Sequence, residues 1–269
     1  MRVASLGYQT DLALLRLGGS EVQDLGDHLV IRSPLNPTHW WGNFLLLSEP
    51  PAPDAADAWI ARFHATFPTA RHVALGFDGT DGSVEDLAPF TALGYFAEAQ
   101  TVMTATDVHA PAHVSRDAEL RMLTKDEDWE QSVELRVRCR DAELDADGYR
   151  DYAMAAARTN RWMVAAGHGA WFGAFLDGRL ACQMGLVRAG PGLARFQAVE
   201  TDPDFRRRGL AGSLVHFASR RGFERLGAEQ LVMVADPDYF AIDLYRAVGF
   251  APTESQLQVE RRPADAPSV

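Results

Sequence analysis

Apolar positions in this chain recur with the two periods that separate strands from helices, most clearly in its second half. The runs Gly169 to Leu176 and Arg179 to Val187 flank Asp177-Gly178, a dipeptide suited to a tight turn, and predict an antiparallel hairpin. Leu193 to Thr201 predicts the next strand. Between Gly209 and Leu226, residues Leu210, Leu214, Phe217 and Ala218 return at helical spacing, and Gly227 stands where a C-terminal cap belongs. The continuous apolar run Leu231 to Ala235 predicts a buried strand, Phe240 to Val248 a helix ended by Gly249, and Gln256 to Glu260 a last strand. Upstream, Leu120 to Leu123 reads as a strand. Thr124 with Glu127 forms a capping box opening a helix through about Arg140, and a second helix covers Tyr149 to Ala165.

The first half is less regular. Asp27 to Ser33, Trp41 to Leu47, Val73 to Phe77 and Ala99 to Thr104 read as strands, with helices over Asp54 to Thr66 and Leu87 to Leu93. Compared by order, Phe44 to Tyr95 and Phe196 to Phe250 both run strand, loop, helix, strand, loop, helix, glycine, aromatic, so that Gly94-Tyr95 matches Gly249-Phe250. The stretch Thr104 to Asp117 lacks apolar periodicity, contains Pro111 and suits a linker. The expected organisation is therefore α+β, with domains over 1–110 and 118–265.

Length and charge narrow the function. At 269 residues the chain can form two domains, each with its own core. There is no apolar run long enough to span a bilayer and no charged-then-apolar leader, which predicts a soluble cytoplasmic protein without a membrane partner. A formal charge of −11 argues against nonspecific nucleic-acid binding and favours an amine-bearing partner. Cys139 and Cys182 are the only cysteines, far apart and outside any ligand spacing, so no disulfide or metal is expected. The composition says nothing of oligomeric state.

The residues that carry chemistry lie between the 193–201 strand and the helix after it, in Thr201-Asp-Pro-Asp-Phe-Arg-Arg-Arg-Gly-Leu-Ala-Gly212. A helix start exposes amides without intrahelical partners and is a ready anion site. Gly209 lets backbone approach a phosphate closely, Ala211 keeps the next contact small, and Arg206, Arg207 and Arg208 add positive charge.

Here the sequence resembles the GNAT superfamily of N-acetyltransferases, whose acetyl-CoA loop has the pattern Gln/Arg-x-x-Gly-x-Gly/Ala; Arg206-Arg-Arg-Gly209-Leu-Ala211 fits it. Thr201-x-Pro203 stands where the family often has Val-x-Pro, and Leu244-Tyr245-x-x-x-Gly249-Phe250 matches its second signature. The resemblance covers roughly 118 to 262. It implies two GNAT-like domains, each a mixed, mostly antiparallel sheet flanked by helices. It implies acetyl-CoA as cosubstrate, an amine as acceptor and direct attack on the thioester. Strand-end backbone at Val199, Glu200 and Thr201 would pair with the pantetheine arm, and Arg207, Arg208, Gly209, Leu210, Ala211 and Gly212 would hold the pyrophosphate. Tyr245 would protonate the leaving thiolate, and Asp238 stands where many members have an Asn near the cofactor.

The general base is less marked. Met233 stands where some relatives place a glutamate and Gln197 where others place His or Glu, which leaves Glu200 as the nearest carboxylate. Simple alternation turns Glu200 to the face opposite Gln197 unless the strand bulges between them. A water chain, or an acceptor amine of low pKa, serves equally. A longer acyl-CoA, or a noncatalytic CoA-binding sensor or scaffold, are the competing uses of such a site. In the first half the segment matching the pyrophosphate loop is Glu49-Pro-Pro-Ala-Pro-Asp54, with no glycine and three prolines that lack amide hydrogens, and Phe90 matches Tyr245. That half reads as a degenerate copy.

Overall fold

Left-handed backbone at Asp177 (φ 49°) and Gly178 (φ 78°) closes the hairpin that the Asp-Gly dipeptide predicts, pairing β7 (Gly169–Leu176) with β8 (Arg179–Gly190). The computed structural model describes residues 1–37, 39–140, 146–237 and 241–262, without the side chains of residues 146–148. It divides into two units, each α+β with an open, largely antiparallel sheet flanked by helices.

Of the described residues, the second unit holds 104–140, 146–233 and 241–251. Its strands lie in the order β10 (Gln230–Ala235), β9 (Leu193–Thr201), β8, β7, β6 (Glu119–Met122), antiparallel except for the parallel pair β9/β10. The helices α4 (Asp126–Cys139) and α5 (Ala146–Ala165) bury Trp129, Leu135, Ala157 and Val164 against Trp171, Phe175 and Leu180 on one face of this sheet. The helix α6 (Leu210–Arg225) covers the other, where Phe217 meets Phe172 edge-on and Gly222 lets the helix settle onto Leu186. The capping carboxylate of α4 is Asp128 and not Glu127: its Oδ2 accepts the amides of Thr124 and Lys125, and Arg121 pairs with it. The helix opens one residue later than the Thr-x-x-Glu spacing suggests, which moves the third helical position onto Asp128.

Of the described residues, the first unit holds 1–37, 39–103, 234–237 and 252–262. Its strands are β1 (Glu21–Asp24), β2 (His28–Arg32), β3 (Phe44–Leu47), β4 (Val73–Phe77), β11 (Ala251–Arg261) and β5 (Phe96–Ala105), in that order across the sheet. The final strand, expected with the second domain, registers against β4 instead, Leu257 opposite Phe77 and Val259 opposite Leu75, and its buried side chains complete the first unit's core. The helix α1 (Leu6–Leu17) and strand β1 were not expected. Ser5 caps α1 by accepting the Tyr8 amide, and Tyr8 reaches the core, where its hydroxyl donates to the Leu257 carbonyl at 2.6 Å. The front of the expected strand from Trp41 is a 3-10 turn over Trp40–Gly42, and β3 begins only at Phe44.

The repeat seen in the sequence is a repeat of structure. In one copy the order is β3, the helix α2 (Ala56–Thr66), β4, the helix α3 (Ala88–Ala92), then Gly94-Tyr95. In the other it is β9, α6, β10, the helix α7 (Ala241–Arg246), then Gly249-Phe250. β3/β4 and β9/β10 are both parallel pairs, as a strand, crossover helix and adjacent strand require.

Candidate active site

The centre of the second unit is an irregularity in β9. Gln183 of β8 stands opposite Glu200 and Gly185 opposite Gln197, so two steps on β8 span three on β9. The extra residue is absorbed at Ala198, whose φ of +48° is left-handed. Gln197 and Glu200 therefore face the same way, towards α4 and α5, which an unbroken alternation forbids. Beyond this point β9 also leaves β10: the two are registered only from Leu193↔Gln230 to Arg195↔Val232. The backbone from Phe196 to Thr201, Val199 included, thus runs along a parting between parallel strands.

Thr201 leads into the loop. Asp202, 1% exposed, anchors the loop by accepting the Asp204 amide on Oδ1 and Arg138 Nε and Arg179 Nη2 on Oδ2, both at 2.8 Å. Burial alone would raise its pKa, but that amide and the two guanidiniums outweigh it and hold the carboxyl below the usual range. Arg206, Arg207 and Arg208 follow, all exposed; Arg206 Nε donates to the Thr201 carbonyl. Arg207 (φ 61°) and Gly209 (φ 71°) are left-handed, and Gly209 is the N-cap of α6 with no side chain capping the first turn. Successive amides of Leu210, Ala211 and Gly212 open the helix. Such a helix start, flanked by three guanidiniums and without a carboxylate cap, is suited to an anion such as a pyrophosphate.

The linker reaches this loop. A Cβ on Gly209 would lie 2.5 Å from the His113 carbonyl oxygen, and one on Gly212 would lie 3.4 Å from Pro111. The Ser115 amide donates to Ser213 Oγ at 2.8 Å, and the His109 amide to the Val248 carbonyl at 3.0 Å. The residues Gly209, Gly212 and Ser213 make one face of the first turn of α6, so the glycines there serve the linker as well as the loop. Tyr245, on α7, is 5% exposed and packs edge-on against Phe250 at 6.5 Å. Met233 is buried on β10. Asp238 lies outside the described residues.

On the other face of β9, Glu200 accepts Arg136 Nε at 2.9 Å on one oxygen and Gln183 Nε2 at 2.6 Å on the other; Ser132 Oγ in turn bonds Gln183 Oε1 at 2.5 Å. Arg136 and Glu200 are 15% and 17% exposed. Tyr152 stacks its ring 5.9 Å from the Arg136 guanidinium, and burial pushes the neighbouring Tyr149 up to about 12. Arg136, Tyr149 and Gln183 were not singled out in the sequence. The available signal was Arg136 and Arg138 interleaved with the buried Leu135 and Val137, which places charge on the packed side of a helix. Burial likewise pushes the thiols of Cys139 and Cys182 up to about 12, so neither is a thiolate near neutrality.

In the first copy, the place of the Arg206–Gly212 loop is taken by Glu49–Asp54, leading through a 3-10 turn over Pro53–Ala55 into α2. Three of those residues are prolines without an amide to offer. Among the described residues no group of His, Cys, Asp and Glu is arranged to hold a metal, and no helix is long and apolar enough to cross a membrane.

Residues 129–250 match the model of the acetyltransferase (GNAT) family. No curated protein matches the sequence. Among solved structures, a conserved protein of unknown function from Staphylococcus epidermidis aligns over 91% of this chain and 95% of its own, with 11% identity and a TM-score of 0.69. A GCN5-related N-acetyltransferase from Kribbella flavida aligns over 95% and 96%, with 14% identity and a TM-score of 0.61. A tandem GNAT protein from the clavulanic acid biosynthesis pathway aligns over 99% and 98%, with 15% identity and a TM-score of 0.55. At these identities the likeness is one of fold, and it extends over both units. The fold and the family are those of acyltransferases that use acyl-CoA. Residues 129–250 thus form a GNAT acetyltransferase domain, and the fold of the chain over both units is similar to that of the tandem GNAT protein.

Proposed function

We propose that the second unit is an N-acetyltransferase that moves acetyl from acetyl-CoA to an amine by direct attack. The observation that carries this is the loop Arg206–Gly212: two left-handed residues, an uncapped helix start and three exposed arginines, at the end of a strand that parts from its parallel neighbour.

When bound, acetyl-CoA supplies an activated thioester carbon. The amides of Arg207 to Gly212 hold the pyrophosphate, with Arg206 to Arg208 neutralising its charge. Backbone of Val199, Glu200 and Thr201 aligns the pantetheine arm, and an amide of this strand end polarises the thioester carbonyl. Glu200 faces the acceptor nitrogen and receives its proton. Tyr245 donates its phenolic proton to the departing sulfur. The C–N bond forms as the C–S bond breaks, giving the amide, the CoA thiol and one proton from the acceptor ammonium. Neither cysteine is poised to carry the acyl group between substrates, which favours direct transfer over a covalent relay.

Calorimetry of CoA binding tests the cradle. Because Gly209 abuts the linker, the arginines are the cleaner handles, and an Arg206, Arg207, Arg208→Gln variant should bind CoA at least about tenfold more weakly at low salt. Unchanged affinity in that folded variant would sink the assignment. An acceptor screen reading thiol release with acetyl-CoA and with longer acyl-CoA then decides the acyl group.

A further inference from the structure

We propose that the acceptor is an amino acid bound as its zwitterion, with its carboxylate taken by the Nη edge of Arg136 and its ammonium group by Glu200. This rests on the acyltransferase reading above and adds the chemical class of the acceptor.

The Arg136–Glu200 pair is poorly explained as a brace. Removing two charges from water carries a desolvation cost that their attraction need not repay, and apolar residues would join α4 to β9 at least as well. The same domain also contains a structural pair for comparison. Arg121 grips Asp128 with both terminal nitrogens, at 2.8 and 2.7 Å, using the full fork of the guanidinium. Arg136 offers Glu200 only Nε, and among the described residues neither Nη nitrogen has a partner. Its flat double-donor edge is the part suited to a planar carboxylate.

Glu200 is held in turn by Gln183, itself fixed by Ser132, so buried polar groups on α4 and β8 are committed to its position. The bulge at Ala198 puts it on the same face as Gln197, beside the parting where the thioester would lie. A plain amine or a polyamine would bring positive charge to Glu200 but also to the adjacent guanidinium. A zwitterion presents one charge to each member of the pair. Tyr149 and Tyr152 flank the guanidinium as aromatic surfaces for the rest of the molecule.

The test is acyl transfer by the full chain to amino acids, to their amides and to the matching decarboxylated amines. Amino acids should exceed the other two classes by about 10- to 100-fold in kcat/KM, the worth of one charge-assisted fork. Arg136→Gln should erase that advantage through KM, and Arg136→Lys should restore part of it, since lysine keeps the charge but not the fork. If Arg136→Gln fails to fold, Arg136→Lys carries the comparison alone by narrowing the ratio. A wild type that prefers amides or amines, or variants that lose all three classes equally, would overturn the proposal. Should no class be turned over, calorimetric titration of the same amino acids into the CoA-loaded protein reads the site directly, and absence of binding overturns it. Failure of the protein to bind CoA at all would instead refute the acyltransferase reading.

Discussion

Tyr245 and Phe90 occupy the same place in two copies of one motif. The carbonyl of each accepts the amide of the aromatic residue five positions on, Phe250 and Tyr95, at 3.1 Å in both copies. The preceding glycines, Gly249 and Gly94, donate at 3.0 Å to the residue just after each ring. Both rings are buried, and what separates them is one hydroxyl. Tyr245→Phe therefore makes the second copy resemble the first without disturbing its packing. If Tyr245 is the acid, kcat should fall about 100-fold or more with little change in KM. An unaltered kcat, with chemistry shown to limit the rate, would remove the role.

The same comparison predicts stoichiometry. The first copy keeps the strand and helix order and the glycine–aromatic ending, but its loop at Glu49–Asp54 has three prolines, two carboxylates and no cation. Titration should give one CoA per chain. A value of two would show that the first copy also binds.

Gly209 and Gly227 provide a matched pair. Both are left-handed, at φ 71° and 67°, so alanine at either pays the strain of that conformation, about 1–2 kcal/mol. Nothing lies within 4 Å of a Cβ on Gly227, whereas one on Gly209 meets the His113 carbonyl at 2.5 Å. Gly209→Ala should cost clearly more stability than Gly227→Ala in thermal denaturation. Equal costs would mean that the linker does not lie on the loop.

What the sequence made legible follows from how local each signal is. The Asp177-Gly178 turn, the 193–201 strand and the stripe of Leu210, Leu214 and Phe217 are set by neighbours a few residues away, and they form where expected. The final strand was legible as a strand, but its partner was not, because Leu257 and Val259 fit any apolar neighbour and only the register against Phe77 and Leu75 decides. The α1 helix is marked only by its Ser5 cap and its Gly18-Gly19 ending, local signals without a strong apolar stripe between them. At the site, the loop was legible as a motif. The bulge at Ala198 was not, since alanine has no preference for a left-handed conformation, and with it went the facing of Glu200 and its pairing with Arg136.

Asp202 makes a prediction about acid. Its folded pKa is depressed, so its contribution to stability is fully present above the ordinary aspartate value of 3.8 and is lost as pH falls through the folded value. Asp202→Asn should cost about 1–3 kcal/mol near neutrality, towards the lower end because Arg179 is half exposed. The gap between variant and wild type should shrink below about pH 4. A difference independent of pH from 7 to 3 would contradict the charge-pairing account.

The C-terminal strand changes what truncation should do. A fragment of residues 118–269 contains the loop, Tyr245 and the Arg136–Glu200 pair, and on the motif alone it ought to be active. Yet it also carries β11, whose neighbour β4 lies wholly in the removed segment. Leu257 and Val259, buried against the first unit's core, would face water on an unpaired strand, a common start of aggregation. The fragment would further lack the linker residues Pro111 and His113 that pack against the start of α6. It should be poorly soluble or inactive. The converse cut is equally informative: residues 1–103 alone lack β11, so their sheet should not form stably either. Within the full chain, Leu257→Ala should destabilise by about 2–5 kcal/mol and lower the melting temperature although it lies far in sequence from the strands it supports. A soluble, fully active 118–269 fragment would show that the pairing of β11 with β4 is dispensable to the second unit. A Leu257→Ala protein that melts with the wild type would show that the strand does not hold the first unit's core together.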